Sequence, residues 1–317
     1  MATNKNITMK QFNGTDYDTL YPKTIASQVD GVLLAQILVT TLPNTEVTAS
    51  LNSKTVSAMS DSSGLAILEI PSYGIWTVSA NFSGTSTSTD CEIKAVAQYE
   101  LSLFPALESL NWDFISSISE NGNAALFFSI GDKKTVAIDG VNYQVQIIGF
   151  NHDDKTAGGK AGITFQLVDC LNTTYQMNSS NTNVGGWKSS AMRSRMSEFL
   201  GQLNEDLQSV IKPVNKLEDG GTVPPTTETV SDKLFLLSEV EIFGSATSSV
   251  AGEGSQYDWY KAGNTKVKKV NGYANIWWER SPYRGGGTNG FCSVDSTGSA
   301  ASGNALGSFG VSFGFCV

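Results

Sequence analysis

The sequence predicts a multi-domain chain built mainly from β-structure: a short N-terminal segment, a small all-β sandwich, and a larger α+β domain at the C-terminus. Three observations carry this. At 317 residues the chain is long for a single core assembled from short strands. From Gly31 to about Leu103, short runs of alternating apolar and polar residues are separated by turn residues. A helical period of nearly four enters only after Trp187, well downstream of those runs. The boundaries that follow are 1–30 for the N-terminal segment, 31–105 for the sandwich, 106–125 for a linker, and 126–317 for the α+β domain.

Residues 1–30 are polar, with Phe12, Tyr17, Tyr21 and Pro22 too few to build a core, so this segment is expected to order against a partner and to serve attachment or oligomerisation. In the sandwich, Gln36-Ile37-Leu38-Val39, Glu46 to Leu51 and Gly74 to Ala80 read as strands. Trp76, Val78 and Ala80 alternate with Ile75, Thr77 and Ser79, which turns one face inward. The turns at Leu42-Pro43-Asn44 and Asp61-Ser62-Ser63-Gly64 set the spacing of a small antiparallel sandwich. This part resembles an immunoglobulin-like or carboxypeptidase-regulatory-like module, and nothing in it clusters chemically, so it reads as a spacer. In the third unit, Lys134 to Ile138 and Val141 to Ile148 flank Asp139-Gly140, the signature of a tight hairpin. A strand is expected at Ile163 to Val168. Met192, Met196, Phe199 and Leu200 define one helix face, and Leu203, Leu207, Val210 and Ile211 a second helix before Pro213. Glu218 to Ser231, rich in Gly, Thr and Pro, is expected to be an irregular mobile excursion. Leu234 to Leu237 reads as a buried strand, and Ser238-Glu239-Val240-Glu241 as a capping box that opens a short helix.

Composition narrows the function. A formal net charge of −9 lacks the basic surface that neutralising phosphate backbones requires, so nucleic acid is not an expected partner. Neither a signal-peptide pattern nor an 18-residue apolar run is present, which predicts a soluble protein made in the cytoplasm without membrane insertion. Cys91, Cys170, Cys292 and Cys316 show no zinc-type spacing. Buried free thiols are expected, with a Cys292–Cys316 bridge as the alternative.

The last forty residues are the most informative. They contain Ile276-Trp277-Trp278-Glu279-Arg280-Ser281-Pro282, then Phe291-Cys292-Ser293-Val294, and finish with Gly310-Val311-Ser312-Phe313-Gly314-Phe315-Cys316-Val317. This pattern resembles the C-terminal domain recurrent in prophage tail proteins of Gram-positive gut bacteria, whose W-x-R-S-P and G-V-x-x-x-F elements frame a lectin-type loop region. It is similar, too, to the variable C-type-lectin-fold proteins of diversity-generating retroelements. The resemblance covers about residues 126–317. A second one lies in Asn6 to Gly14 and Asp16 to Thr24, which look like the opening of phage tail-fibre and minor structural proteins. The resemblance implies a C-type-lectin-like ligand-binding domain in a phage tail protein, located in the virion tail and made in the bacterial host cytoplasm. Its partners would be a bacterial surface protein or glycan and other phage tail proteins, with a homotrimer or higher homo-oligomer as the working form. The function implied is adhesion; no enzymatic activity, cofactor or metal is expected.

Physically, Trp277, Trp278, Phe291, Val294, Val311, Phe313 and Phe315 can anchor a framework, each at roughly 1.5–3 kcal/mol on burial. The stretches between them, 283–290 and 295–309, are dominated by small polar residues, as in a paratope. The expected ligand-binding residues are Tyr283, Arg284, Thr288, Asn289, Ser293, Asp295, Ser299, Ser302, Asn304, Leu306, Ser308 and Phe309. An ordinary Gly/Ser loop region without a ligand is the bland alternative, and a purely structural tail or baseplate component the functional one. Catalytic readings are weaker. His152 is the only histidine and no Gly-x-Ser-x-Gly elbow accompanies it, so it is expected as a surface or hydrogen-bonded residue. Asp153 and Asp154 do not match a calcium loop. Glu253, Asp258 and Glu279 offer carboxylates for glycosidase chemistry, but nothing pairs them. Glu279 is expected to pair with its neighbour Arg280, and Lys266, Lys268 and Lys269 to form a solvated basic patch.

Overall fold

Alternating sequence becomes alternating burial in the first part of the chain. The computed structural model describes residues 9–12, 17–20, 35–82, 85–122 and 124–317. The chain divides into two units, Met1–Pro105 and Ala106–Val317. Of the N-terminal segment, β1 (Met9–Phe12) and β2 (Tyr17–Leu20) form an antiparallel pair, and the rest of 1–34 lies outside the described residues. Seven further strands make two sheets. In the three-stranded sheet, β3 (Ala35–Thr40) lies between β6 (Leu65–Ile70) and β9 (Gln98–Ser102), antiparallel to the former and parallel to the latter. The four-stranded sheet runs β5 (Lys54–Met59), β4 (Glu46–Leu51), β7 (Gly74–Phe82), β8 (Thr85–Ile93), all antiparallel. Ile37, Val39, Val47, Ala49, Leu68, Trp76 and Val78 are buried at every second position and supply the core of this unit. Asp61 closes its turn by accepting from the Ser63 and Leu65 amides, the bond pattern that turn residues favour.

The second unit begins earlier than the linker expectation placed it. Residues 106–125 contain helix α1 (Trp112–Glu120), N-capped by Asn111, whose side chain accepts from the Phe114 amide. Trp112, Ile115 and Ile118 repeat every third residue and bury that face. The Trp112 ring meets Phe165 and Phe315 edge-on at centroid separations of 5.4 and 5.9 Å, so this segment is part of the core.

A five-stranded antiparallel sheet organises this unit, in the order β10 (Lys133–Ile138), β11 (Val141–Phe150), β12 (Ile163–Leu167), β21 (Gly314–Cys316), β15 (Leu234–Phe235). The expected hairpin at Asp139-Gly140 is present, both residues at positive φ. Between β12 and β15 the chain forms α2 (Ala191–Gln202), α3 (Glu205–Val210) and a hairpin of β13 (Val214–Asp219) and β14 (Thr227–Asp232). That hairpin corrects the expected irregular excursion over 218–231. Glu218 and Asp219 are buried and their carboxylates accept main-chain N–H groups from Lys188 and Gly221, while the Gly and Pro residues are confined to the tip and Thr227 and Thr229 lie within β14. Of the strand expected at 234–237, only two residues pair; Leu236 and Leu237 are buried without ladder bonds of their own strand. Helix α4 (Glu239–Phe243) opens with the expected capping box on Ser238 and Glu241 and closes on Gly244 in the left-handed region. After α5 (Asp258–Lys261) comes the small pair β16 (Lys268–Val270) and β17 (Tyr273–Asn275), then a three-stranded sheet of β18 (Trp277–Pro282), β19 (Gly290–Val294) and β20 (Ala300–Asn304). All seven expected framework residues are buried. The four cysteines are buried free thiols; Cys292 lies in β19 and Cys316 in β21, in different sheets, so the alternative bridge does not form. Among the described residues no helix is long and apolar enough to cross a membrane.

Candidate functional site

The small sheet β18–β20 is a rigid base with one open edge. Every residue of β18 and β19 is buried, because Trp277, Trp278, Phe291 and Val294 fill the interior. The outer strand β20 alternates instead, with Ala300, Ser302 and Asn304 exposed and Ala301 and Gly303 half-buried. Phe309 returns over this strand and stacks on Trp278 at 4.2 Å between centroids. The stack needs glycine at 303: a Cβ there would stand 2.1 Å from the Phe309 ring. The turn between Asn304 and Phe309 is fixed by the Ala305 amide donating to the Asn289 carbonyl (2.8 Å) and the Leu306 amide to Asn304 Oδ1 (3.0 Å).

A second segment, 174–179, is sewn to this turn. Tyr175 and Phe309 exchange both main-chain hydrogen bonds (2.9 and 3.1 Å), Gln176 Nε2 donates to the Leu306 carbonyl (2.7 Å), and the Trp278 indole donates to the Tyr175 carbonyl (2.7 Å). Beside the seam lies a cavity of about 300 Å³ lined by Thr174, Tyr175, Gln176, Asn178, Ser179, Ala191, Arg195 and Ser308. Arg195 lies over the Tyr175 ring at 4.9 Å, a cation–π arrangement that presents a guanidinium to the cavity. The lining can make many neutral hydrogen bonds and one charged bond, which suits a hydroxyl-rich ligand.

The expected binding residues distribute unevenly. Ser302, Asn304, Leu306 and Ser308 are exposed along β20 and its following turn, with Phe309 half-buried beside them. Thr288 and Asn289 are exposed at the same end of the hairpin, and Tyr283 is half-buried, its amide closing the 283–290 loop on the Gly290 carbonyl. Asp295 and Ser299 lie at the opposite end, where Asp295 closes its own turn by accepting from Thr297 and Ser299; the Thr297 hydroxyl bond is the main cause of its lowered pKa. Two residues need correction. Ser293 is fully buried in the middle of β19, because its strand is covered on both faces, and is no surface contact. Arg284 is not a free anchor: its guanidinium grips buried Asp219 through two bonds and donates to the Thr222 carbonyl (2.8 Å). The residues missed by sequence reasoning are Tyr175, Gln176, Asn178 and Arg195. A polar run, Asn172 to Asn183, carrying the single aromatic Tyr175, has the same composition as the later loops and was the available signal.

The same unit holds a buried charge network. Lys216 donates to Asp153 (2.7 Å) and is ion-paired with Glu241 (2.6 Å), and Arg280 holds both oxygens of Glu241 at 2.5 and 3.0 Å. Desolvation opposes these charges, yet the Coulombic attraction of Lys216 and Arg280 keeps Asp153 and Glu241 below the ordinary carboxylate range. The expected Glu279–Arg280 pair is therefore absent: Arg280 serves Glu241, and both Glu279 oxygens are buried without a hydrogen-bond partner among the described residues. Lys268 departs from the expected solvated patch as well. It is buried and donates to the Leu167 and Val168 carbonyls, and burial pulls its pKa to about 8. His152 stacks on Tyr257 at 3.9 Å and meets the Ser255 carbonyl at 3.1 Å, a hydrogen-bonded residue. Of the three carboxylates considered for glycoside chemistry, Glu253 and Glu279 are fully buried and Asp258 is exposed on α5. Among the described residues no group of three or more His, Cys, Asp and Glu side chains is placed to hold a metal ion.

A family model described as a domain of unknown function, DUF6273, matches residues 161–317. The match takes in β12 to β21 and with them the whole of the candidate site. A search of curated proteins finds no match to the chain.

Proposed function

We propose that this chain is a receptor-binding protein of a phage or prophage tail, an adhesin that engages a bacterial surface protein or glycan through the β20 face, the 304–309 turn and the adjoining cavity. The observation that carries this reading is the contrast within one small sheet: two wholly buried strands support an outer strand of small exposed residues that runs into a cavity lined by hydroxyls, amides and one arginine. Such a surface can change its exposed side chains without disturbing the core below, the property a recognition loop needs. In this reading residues 31–105 are an immunoglobulin-like spacer, which their seven short strands in two sheets support. The second unit is a C-type-lectin-like domain related to retroelement-diversified proteins, supported by its C-terminal strand β21 returning to the middle of the main sheet and by the separate small sheet that bears the loops. Attachment through the N-terminal segment to other tail proteins, and a homotrimeric or larger assembly, complete the proposal; several modest sites acting together gain about 10² to 10⁴ in effective affinity.

The rival reading is a structural tail component with inert loops, and one observation favours it: Arg284, the expected charged anchor, is turned inward onto Asp219. Binding of the purified chain to a panel of bacterial cells decides between them. The variant for this test is Ser302→Arg combined with Ser308→Arg, which blocks the surface while leaving the core untouched. Wild type binding at least one strain, with about tenfold or greater loss in the variant at unchanged thermal stability, is the expected result. Equal binding by both proteins places the receptor site elsewhere, and no binding by the wild type in oligomeric form gives the structural reading the lead.

A further inference from the structure

The opposite flank of α2 carries a cleft of about 340 Å³ lined by Lys188, Arg193, Ser194, Met196, Ser197, Leu200, Ser231, Asp232, Lys233 and Leu234. Three cations line it; Glu228 pairs with Lys188 and Asp232 with Arg193, which leaves the charge of Lys233 uncompensated there, in a chain whose net charge is −9. A local positive potential inside an acidic molecule selects anions against the field of the rest of the surface.

The cations are not equivalent. Arg193 is held in place: Nε donates to Asp232 (2.8 Å), Nη2 to the Ser231 carbonyl (3.1 Å) and Nη1 to the Lys188 carbonyl (3.5 Å), and Asp232 is itself fixed by the Trp187 indole (2.7 Å). A guanidinium has five N–H donors, so two remain on a fork whose position is already set. Lys188 pairs with Glu228 at 2.5 Å. Lys233 is exposed, and among the described residues its ammonium has neither ion pair nor hydrogen bond. The hydroxyls of Ser194 and Ser197, both exposed on α2, likewise have no partner among the described residues, and Met196 and Leu234 supply a buried apolar floor.

We propose that this cleft binds a phosphate group carried on a small polyol or sugar. The free N–H pair of Arg193 and the Lys233 ammonium take the oxyanion, Ser194 and Ser197 take hydroxyls of the carrier, and the carbon skeleton rests on Met196 and Leu234. Bare phosphate would leave most of a cleft of this size and its apolar floor unused, since ligand sites that enclose a small organic molecule start at about 300 Å³. The cleft is separate from the β20 surface, so this inference stands or falls independently of the adhesion reading.

The test is calorimetric titration of the full chain with sn-glycerol 3-phosphate, inorganic phosphate and glycerol, at low and at physiological ionic strength. Glycerol 3-phosphate is expected to bind, more tightly than inorganic phosphate and more weakly as salt rises, while glycerol alone gives no signal. Lys233→Glu should weaken binding about tenfold or more. Lys54→Glu, the same charge change on the exposed surface of the other unit, should leave it unaltered. In the wild type, the Met196 methyl resonance should shift during the titration, which reports the location without any variant. Inorganic phosphate binding as tightly as glycerol 3-phosphate, an affinity unaffected by Lys233→Glu, a silent Met196 methyl, or no binding at all would each overturn the proposal.

Discussion

Glu279 has exchanged water for an interior that offers its carboxylate nothing. Both oxygens are buried without a hydrogen-bond partner among the described residues, and burial first, then the nearby Glu239 and Glu253, push its pKa well above the ordinary carboxylate value. A neutral carboxylic acid is the state that fits. Glu253, fully buried, is raised to about 7, chiefly by burial. The sign of the consequence is fixed: a carboxyl whose folded pKa is raised adds its full stability below its unfolded value near 4.5, and that contribution disappears as pH climbs through about 7. Unfolding by urea should therefore show stability falling between about pH 5 and pH 8, with Glu253 contributing on the order of 3 kcal/mol as an upper bound. Glu279→Gln, which cannot ionise, should flatten that slope while keeping the fold; a slope identical to wild type would show that Glu279 does not titrate there. Sequence placed Glu279 next to Arg280 and suggested a pair. Neighbours on a strand point to opposite faces, so Arg280 reaches Glu241 and leaves Glu279 on the other side. Lys268 departs from expectation for a similar reason, since a lysine between Lys266 and Lys269 reads as part of a basic patch and gives no sign of the carbonyls waiting for it in three dimensions.

Elements were legible where a local rule decides them. The Asp139-Gly140 hairpin, the capping box on Ser238 and the two helices after Trp187 all follow from residues within one turn of each other. Helix α1 was missed because its stripe, Trp112, Ile115 and Ile118, is short and sits among Ser and Asp, and it is stabilised by aromatic partners in distant strands. The β13–β14 hairpin was missed because its strands carry Lys216, Glu218 and Asp219 inward, against the usual rule that charge faces water. The candidate site was legible in composition and only half legible in position: the small residues of β20 face solvent, but the contribution of 174–179 depends on a pairing across more than a hundred residues. At this scale Gly303 is the sensitive point. Gly303→Ala should drive Phe309 off Trp278, lowering stability by about 1–3 kcal/mol and raising the exposure of Phe309. Urea midpoints and indole fluorescence report both effects, and a variant with wild-type stability and emission would mean the stack adjusts without loss.

At the scale of the molecule, the order of strands in the main sheet determines how the chain can be cut. The matched family span begins at residue 161, yet β12 pairs with β11 on one side and β21 on the other, and β11 in turn pairs with β10. A fragment 161–317 would expose the whole edge of β12 and uncover Phe165 and Phe315, against which Trp112 of α1 packs in the intact unit. Open edges beside exposed aromatic surface favour association between chains over folding. A fragment 106–317 keeps α1, β10 and β11 and should unfold in one cooperative transition by calorimetry, as expected for a unit with its own core. The C-terminus is equally tied in: β21 lies between β12 and β15, and the Val317 carbonyl accepts from the Ser119 hydroxyl of α1. Deleting Gly314–Val317 removes the strand that joins the two halves of the sheet, so that truncation should abolish the transition altogether. A cooperative transition in 161–317, or its survival after the four-residue deletion, would show that the five-stranded sheet is not the unit on which this domain's folding depends.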